Sequence, residues 1–380
     1  MIYLDNSATT RPDPSVLHSF QQVSEHFFAN PSSIHPFGGE AEKLLQRSKE
    51  QAAELLQVQP DEMIFTAGGT EGNNLAVKGI ALEHRNRGSH IITTEVEHPS
   101  VHEAFHGLER LGFTVTYLPV DAQGVVSTDD VQDAITDDTI LISVMHVNNE
   151  IGSVQPVKQI GEVAKQYPKL FFHVDNVQGV GKVPLDLAES GIDLCTISGH
   201  KLHGLKGTGL LYVKNGTTLF PLFHGGGQEK SFRSGTENVA GAVSLVKALR
   251  LTIERREVGI RHMSQLQAQL RDKLYTMEDV LVNTPEQKAA PHIMNISIPG
   301  LKPEVLIHML GEKGIYVSTK SACSSKREDE SKILAACGYG RDRSTSALRV
   351  SFSYDTTEDE INTFFQELKE AIGRFKAVME

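Results

Sequence analysis

Between about residues 60 and 215, short runs of β-branched and other apolar residues alternate with amphipathic stretches, the order produced by a mostly parallel sheet covered with helices. Strands are predicted over 63–66, 90–93, 114–117, 139–146 and 170–174, with helices over 74–87, 101–111, 129–135 and 157–166. The run 139–146 is apolar nearly throughout, as expected of a strand covered on both faces. After residue 225 the texture changes. The segment 224–236 carries too many glycines and polar groups for a core element and reads as a long surface loop. A long helix is expected over 238–277, with a change of character near residue 255 where one domain hands over to another. Strands at 293–298, 315–318 and 347–353 and a helix at 303–313 follow. The last helix opens on a capping box, Thr357-Glu-Asp-Glu360, and sets Ile361, Phe364, Phe365, Leu368, Ile372 and Phe375 on one stripe.

The 380 residues suffice for about two domains. A formal charge of −11 argues against sequence-independent nucleic-acid binding, which needs a basic surface. No stretch approaches the ~20 consecutive apolar residues of a membrane span, and the N-terminus lacks a leader pattern, so a cytoplasmic address is expected. Three cysteines, at 195, 323 and 337, are too few and too odd for a disulfide framework. Cys195 lies in an alternating strand and Cys337 at the end of a helix-like segment, both positions of small buried hydrophobes. Cys323 instead sits in a Ser-rich, charged, loop-like segment. There Lys320, Lys326 and Arg327 favour the thiolate and Glu328, Asp329 and Glu330 oppose it.

Three segments carry candidate chemistry. Thr66-Ala-Gly-Gly-Thr-Glu-Gly-Asn-Asn74 joins a strand to a helix, where small residues let backbone N–H groups approach a phosphate and Thr70 adds a hydroxyl; it also reads as a plain tight turn. It has neither the dinucleotide nor the P-loop spacing. Asp175 arrives at the carboxyl end of a buried strand, the edge on which open α/β sheets bind ligands, or it caps the next segment. A third strand ends in Ser198-Gly-His-Lys201. Taken singly, Lys201 is a solvated lysine. Phosphate-type turn, carboxylate and lysine together match one cofactor, pyridoxal 5'-phosphate, which carries a phosphate, a ring nitrogen held by an acid and an aldehyde that bonds a lysine. His200 and His203 form an H-x-x-H pair, but with no third ligand nearby no metal is expected.

With these segments in hand, the chain resembles the cysteine desulfurases of the NifS/IscS type over nearly its whole length. The likeness is carried by Tyr3-Leu-Asp-Asn-Ser-Ala-Thr-Thr10, Asn30-Pro-Ser-Ser33, Thr70-Glu71, Glu97-His98, His146-Val-Asn-Asn-Glu-Ile-Gly152, His173-Val-Asp175 with Gln178, Ser198-Gly-His-Lys201, Arg233-Ser-Gly-Thr236 and Ser321-Ala-Cys-Ser324. The resemblance implies an α/β fold of the aspartate-aminotransferase-like type (fold type I), with a seven-stranded-type sheet domain at 16–255. A small α+β domain from 1–15 with 256–380 would carry the catalytic loop, about 318–332. It implies that Lys201 bonds the cofactor, Asp175 holds its ring nitrogen, Gln178 meets its phenolic oxygen, and His98 stacks on the ring and moves protons. Gly69, Thr70, Ser198 and His200 would hold the phosphate, joined by Thr236 from the second subunit of a homodimer. Asn149 would face cofactor and substrate, Asn30 would contact substrate, and Arg349 would pair with the substrate carboxylate.

On this resemblance L-cysteine is the substrate and Cys323 takes its sulfur as a persulfide, leaving alanine. The acceptor would be a protein, either an iron–sulfur scaffold with which Cys323 would be a transient cluster ligand, or a tRNA-thiolation enzyme. One departure concerns acceptor choice and loop reach: after Ser324-Ser325 the chain continues Lys-Arg-Glu-Asp-Glu, more charged than the small residues common in the group. The alternatives are an aminotransferase or selenocysteine lyase of the same fold, and a non-catalytic cofactor-bound regulatory module.

Overall fold

The computed structural model describes residues 1–319 and 330–379, so Cys323 and most of the expected catalytic loop lie outside the described residues. The strands are β1 (Ile2–Tyr3), β2 (Met63–Thr66), β3 (His90–Thr94), β4 (Thr114–Leu118), β5 (Thr139–Met145), β6 (Phe171–Asp175), β7 (Leu194–Ser198), β8 (Gly209–Val213), β9 (Leu281–Val282), β10 (Ile293–Ser297), β11 (Ile315–Tyr316) and β12 (Ala347–Ser351). The helices are α1 (Pro14–His26), α2 (Pro36–Leu56), α3 (Gly69–Glu83), α4 (Pro99–Glu109), α5 (Thr128–Ala134), α6 (Val157–Ala164), α7 (Val239–Leu274), α8 (Pro303–Glu312), α9 (Lys332–Ala336), α10 (Arg341–Ser344) and α11 (Glu358–Met379).

The predicted α/β alternation is realised as a seven-stranded sheet of order β2-β8-β7-β6-β5-β3-β4, parallel except for β8, which runs antiparallel to β2 and β7. β5, β6 and β7 are buried along nearly their whole length, which is why their sequences read as apolar runs rather than alternations. Helices cover both faces, giving one core around Ile142, Phe172, Val174 and Ile197 and another around Leu75, Ile91, Phe105 and Leu141. A separate core forms on the antiparallel sheet β12-β10-β9, where Met294, Ile296 and Leu348 meet Phe364 and Leu368 of α11. α7 serves both regions: Leu245 and Leu249 join the large-sheet core, and Met263, Leu266 and Leu270 the second one. The N-terminus also belongs to the second region, since β1 pairs with β11 and Asp5 bridges to Ser351.

Two differences from the sequence expectation bear on function. α3 begins at Gly69 rather than near residue 74, so the glycine turn is itself the first turn of the helix. Gly68 makes this possible, with a φ of 147° that disfavours a side chain. The polar segment 224–236 is a loop, as expected, but it is tied down rather than wholly superficial: Glu229 is buried against Lys49 at 2.7 Å, and Arg233 pairs with Glu71 at 2.8 Å.

Candidate active site

The carboxyl ends of β5, β6 and β7 open into a cavity of about 270 Å³ against the N-terminus of α3, the start of α4 and β12. Gly69, Thr70, His98, Asn149, Asp175, Gln178, Ser198, His200, Lys201 and Arg349 all line it. Of the residues named from sequence, Asn30 and Thr236 do not line the cavity of their own chain; both are exposed.

Asp175 ends β6 and is nearly fully buried. One carboxylate oxygen accepts from Val177 N–H at 3.0 Å and the other from Asn73 Nδ2 at 2.7 Å. Asn73 also donates to Ser100 Oγ at 2.9 Å, and Ser100 Oγ lies 2.8 Å from His98 Nδ1. The Ser100 backbone N–H donates to that same nitrogen at 3.1 Å, because His98 is the N-cap of α4. Nδ1 is therefore an acceptor, and the proton of the neutral ring sits on Nε2. Burial drives the His98 pKa below its ordinary value; the Asp175 charge works against this and the Lys201 charge adds to it. The result is a neutral imidazole in a fixed tautomer at the cavity wall.

Lys201 closes the short turn after β7, and its ammonium donates to the carbonyls of Ser7 and Ala8, the second at 2.7 Å. Gln178 donates to Ser7 O at 2.9 Å, so the N-terminal segment supplies one wall of the site. Behind it lie two buried bases. Lys182 Nζ donates to Lys201 O at 3.0 Å, and desolvation brings its pKa down to about 8. His292 Nε2 stands 3.3 Å from Gln178 Oε1 and is held neutral by burial.

The phosphate end fits its expected guest. Ser198 Oγ is buried without a partner among the described residues, as is Ser7 Oγ. The N-terminus of α3 has no side-chain cap, leaving backbone N–H groups for an anion. A Cβ on Gly69 would come within 3.0 Å of Val177 Cγ2 and fill the cradle. Burial and the neighbouring Lys201, Lys206 and Lys182 charges depress His200 to about 4, so it meets an anion as a neutral hydrogen-bonding ring. The residues present thus suit a phosphate-bearing pyridine aldehyde: anion cradle, lysine and buried carboxylate face one space.

Arg349 projects from β12 and is 1% exposed. Nη1 donates to Asn149 O at 2.8 Å, and Nη2 to Asp5 Oδ1 at 3.0 Å and Ser318 Oγ at 3.1 Å; Nε is buried without a partner among the described residues. Ser318 immediately precedes the segment that contains Cys323, so the guanidinium ties the cavity to one root of that segment. Its other root is held by Ser331 Oγ on Glu150 at 2.7 Å. Cys195 and Cys337 are buried packing residues as expected, and burial raises both thiols, Cys337 to about 12.

Sequence reasoning missed Asn73, Ser100, Asp5, Lys182 and His292. Asn73 had a legible signal, an amide on the buried side of a helix, and Ser100 had another, a hydroxyl two residues after a capping histidine. The rest come together only through the fold.

A sheet whose carboxyl edge gathers a lysine, a buried carboxylate and an anion cradle is that of an aspartate-aminotransferase-like enzyme. The chain belongs to the class-V aminotransferase family, whose profile (Aminotransferase class-V) matches residues 2–364. Within that family, which depends on pyridoxal phosphate, it falls in the NifS/IscS-like cysteine desulfurase group. It is 43% identical over 380 residues to a NifS/IcsS protein homolog of Lactobacillus delbrueckii subsp. bulgaricus, covering 100% of this chain and 99% of that one. To a cysteine desulfurase IscS of Dictyoglomus turgidum it is 40% identical, covering 99% and 96%. Among solved structures, a NifS-like protein superposes with a TM-score of 0.92 at 35% identity, covering 98% and 99%. SspA in complex with cysteine superposes at 0.82 and 32% identity, covering 94% and 100%. No helix among the described residues is long and apolar enough to cross a membrane.

Proposed function

We propose that this protein is a pyridoxal-phosphate-dependent cysteine desulfurase that converts L-cysteine to L-alanine and carries the sulfur on Cys323. The observation that carries the reading is the convergence of Lys201, Asp175, His98 and Arg349 on one cavity in a chain of this family. Lys201 would bond the cofactor, Asp175 would hold its ring nitrogen, and Gln178 would meet its phenolic oxygen. Ser198, His200, Thr70 and the N–H groups at Gly69 would hold the phosphate. When bound, the cofactor supplies an electron sink for the substrate's Cα carbanion. Arg349 and Asn149 orient the substrate, with the guanidinium on its carboxylate. Lys201 takes the Cα proton, and His98, neutral with its proton on Nε2, donates and recovers protons on the ring side. The Cys323 thiolate attacks the substrate sulfur: an S–S bond forms and the Cβ–S bond breaks. Once Cβ and Cα have taken up protons the remainder leaves as alanine, so cysteine and thiol become alanine and persulfide without external oxidant or reductant.

The same reading makes the enzyme a homodimer of subunits divided into 16–255 and 1–15 with 256–380. Thr236 and Asn30 are exposed, as are the large apolar side chains of Phe28, Ile34 and Phe223, which suits a partner subunit completing the phosphate and substrate ends. Its place is cytoplasmic, where a reducing milieu keeps the thiol free. The acceptor is a protein, an iron–sulfur scaffold or a tRNA-thiolation enzyme. The test is to supply holoenzyme with L-cysteine and a thiol reductant. Catalytic alanine and sulfide formation, abolished in Lys201→Ala together with the reducible cofactor linkage, is expected; keto-acid formation instead would make the protein an aminotransferase.

A further inference from the structure

We propose a divalent transition-metal site, outside the cofactor cavity, formed by His102, Glu103 and His106 on α4. The two histidines stand four residues apart, so they rise from one helix face, one turn above the other. Glu103 lies three residues before His106. One ligand atom from each of the three residues lies within 4.8 Å of the other two, close enough to share one ion.

The surroundings prepare the histidines to act as ligands. His106 Nδ1 lies 2.7 Å from Glu109 Oε2. A carboxylate on Nδ1–H puts the imidazole lone pair on Nε2, the arrangement by which outer carboxylates orient metal-bound histidines. The two imidazole rings meet edge to face at 4.6 Å, and the Tyr117 ring backs both, at 5.2 Å from His102 and 5.9 Å from His106. Both histidines are half-buried while Glu103 is exposed, so the rings are held and the ion's remaining positions open to water. The Glu103 and Glu109 carboxylates offset the charge of the ion. Two imidazoles and a carboxylate are a borderline donor set, suited to Zn²⁺, Co²⁺ or Ni²⁺ rather than to Mg²⁺ or Ca²⁺. The site takes nothing from the cavity and does not depend on the proposed reaction.

The test is titration of Co²⁺ into metal-free holoenzyme carrying Cys323→Ser, read by visible absorption and by equilibrium dialysis. One equivalent per chain is expected, with d–d bands and no sulfur-to-metal charge transfer. His102→Gln and His106→Gln should abolish it with the thermal midpoint unchanged. Glu109→Gln should weaken it about 10- to 100-fold through loss of the orienting carboxylate. Because the rings pack on Tyr117, Glu103→Gln provides a variant that leaves that packing intact and should also weaken binding. Absence of saturable Co²⁺ binding, or binding unchanged in both histidine variants, would overturn the proposal.

Discussion

Arg349 offers the most quantitative test of substrate orientation. Its guanidinium is 1% exposed, and its described partners are Asn149 O, Asp5 and Ser318, with Nε unpaired among the described residues. A substrate carboxylate accepting from a buried guanidinium gains a charge-assisted hydrogen bond, ~1.5–3 kcal/mol. At ~1.4 kcal/mol per decade this is about 10- to 100-fold in affinity. Arg349→Gln should therefore raise the KM for cysteine by about that factor. Losing the partly buried pair with Asp5 would itself destabilise the fold, so the variant is best made with Asp5→Asn and checked by urea unfolding. The assay is steady-state alanine or amine release from cysteine and from cysteamine, which lacks the carboxylate. The wild type should favour cysteine strongly, and the variant should lose most of that preference by losing cysteine alone. An unchanged KM with the preference intact would refute the assignment and leave Arg349 as a buried strut between β12 and the N-terminus.

Three further outcomes follow from the geometry. Ser100→Ala removes the hydroxyl joining Asn73 to His98 Nδ1 and should lower kcat by ~10-fold, worth ~1.4 kcal/mol, with the KM for cysteine unchanged in initial-rate assays. Gly72→Ala places a Cβ 2.8 Å from Thr196 Cγ2, where α3 packs on β7, and should cost ~1–3 kcal/mol in urea unfolding with cofactor absorbance falling in parallel. His173 and His146 are held to about 3 and about 4, mainly by burial, against an ordinary value of 6.5. Below that value the unfolded chain takes up protons the folded chain refuses. Stability should then fall as pH drops from 6.5 toward 4, by at most ~1.4 kcal/mol per pH unit for each group; His173→Gln should flatten the slope in urea midpoints measured across that window.

The large sheet was legible because its central strands are covered on both faces and hence apolar without interruption, as in 139–146. The site was legible where function leaves polar residues at strand ends: Asp175 after a buried run, and Ser198 through Lys201 after another. What sequence could not place were side chains whose partners are distant in the chain. Asn73 meets Asp175 across 102 positions and Asp5 meets Arg349 across 344, and neither spacing has a local signature. α3 starts more than a turn before its first non-glycine run because glycines read as turn in sequence, whereas Gly69 and Gly72 sit inside the helix for lack of room beside Val177 and Thr196.

The central claim is that sulfur from cysteine comes to rest on Cys323. Holoenzyme is mixed with L-cysteine in the absence of reductant, quenched with an alkylating agent, digested, and the Cys323 peptide weighed. The account predicts that this peptide gains the mass of one sulfur atom in step with one alanine per subunit, while the Cys195 and Cys337 peptides do not. Alanine release with Cys323 unmodified would contradict it.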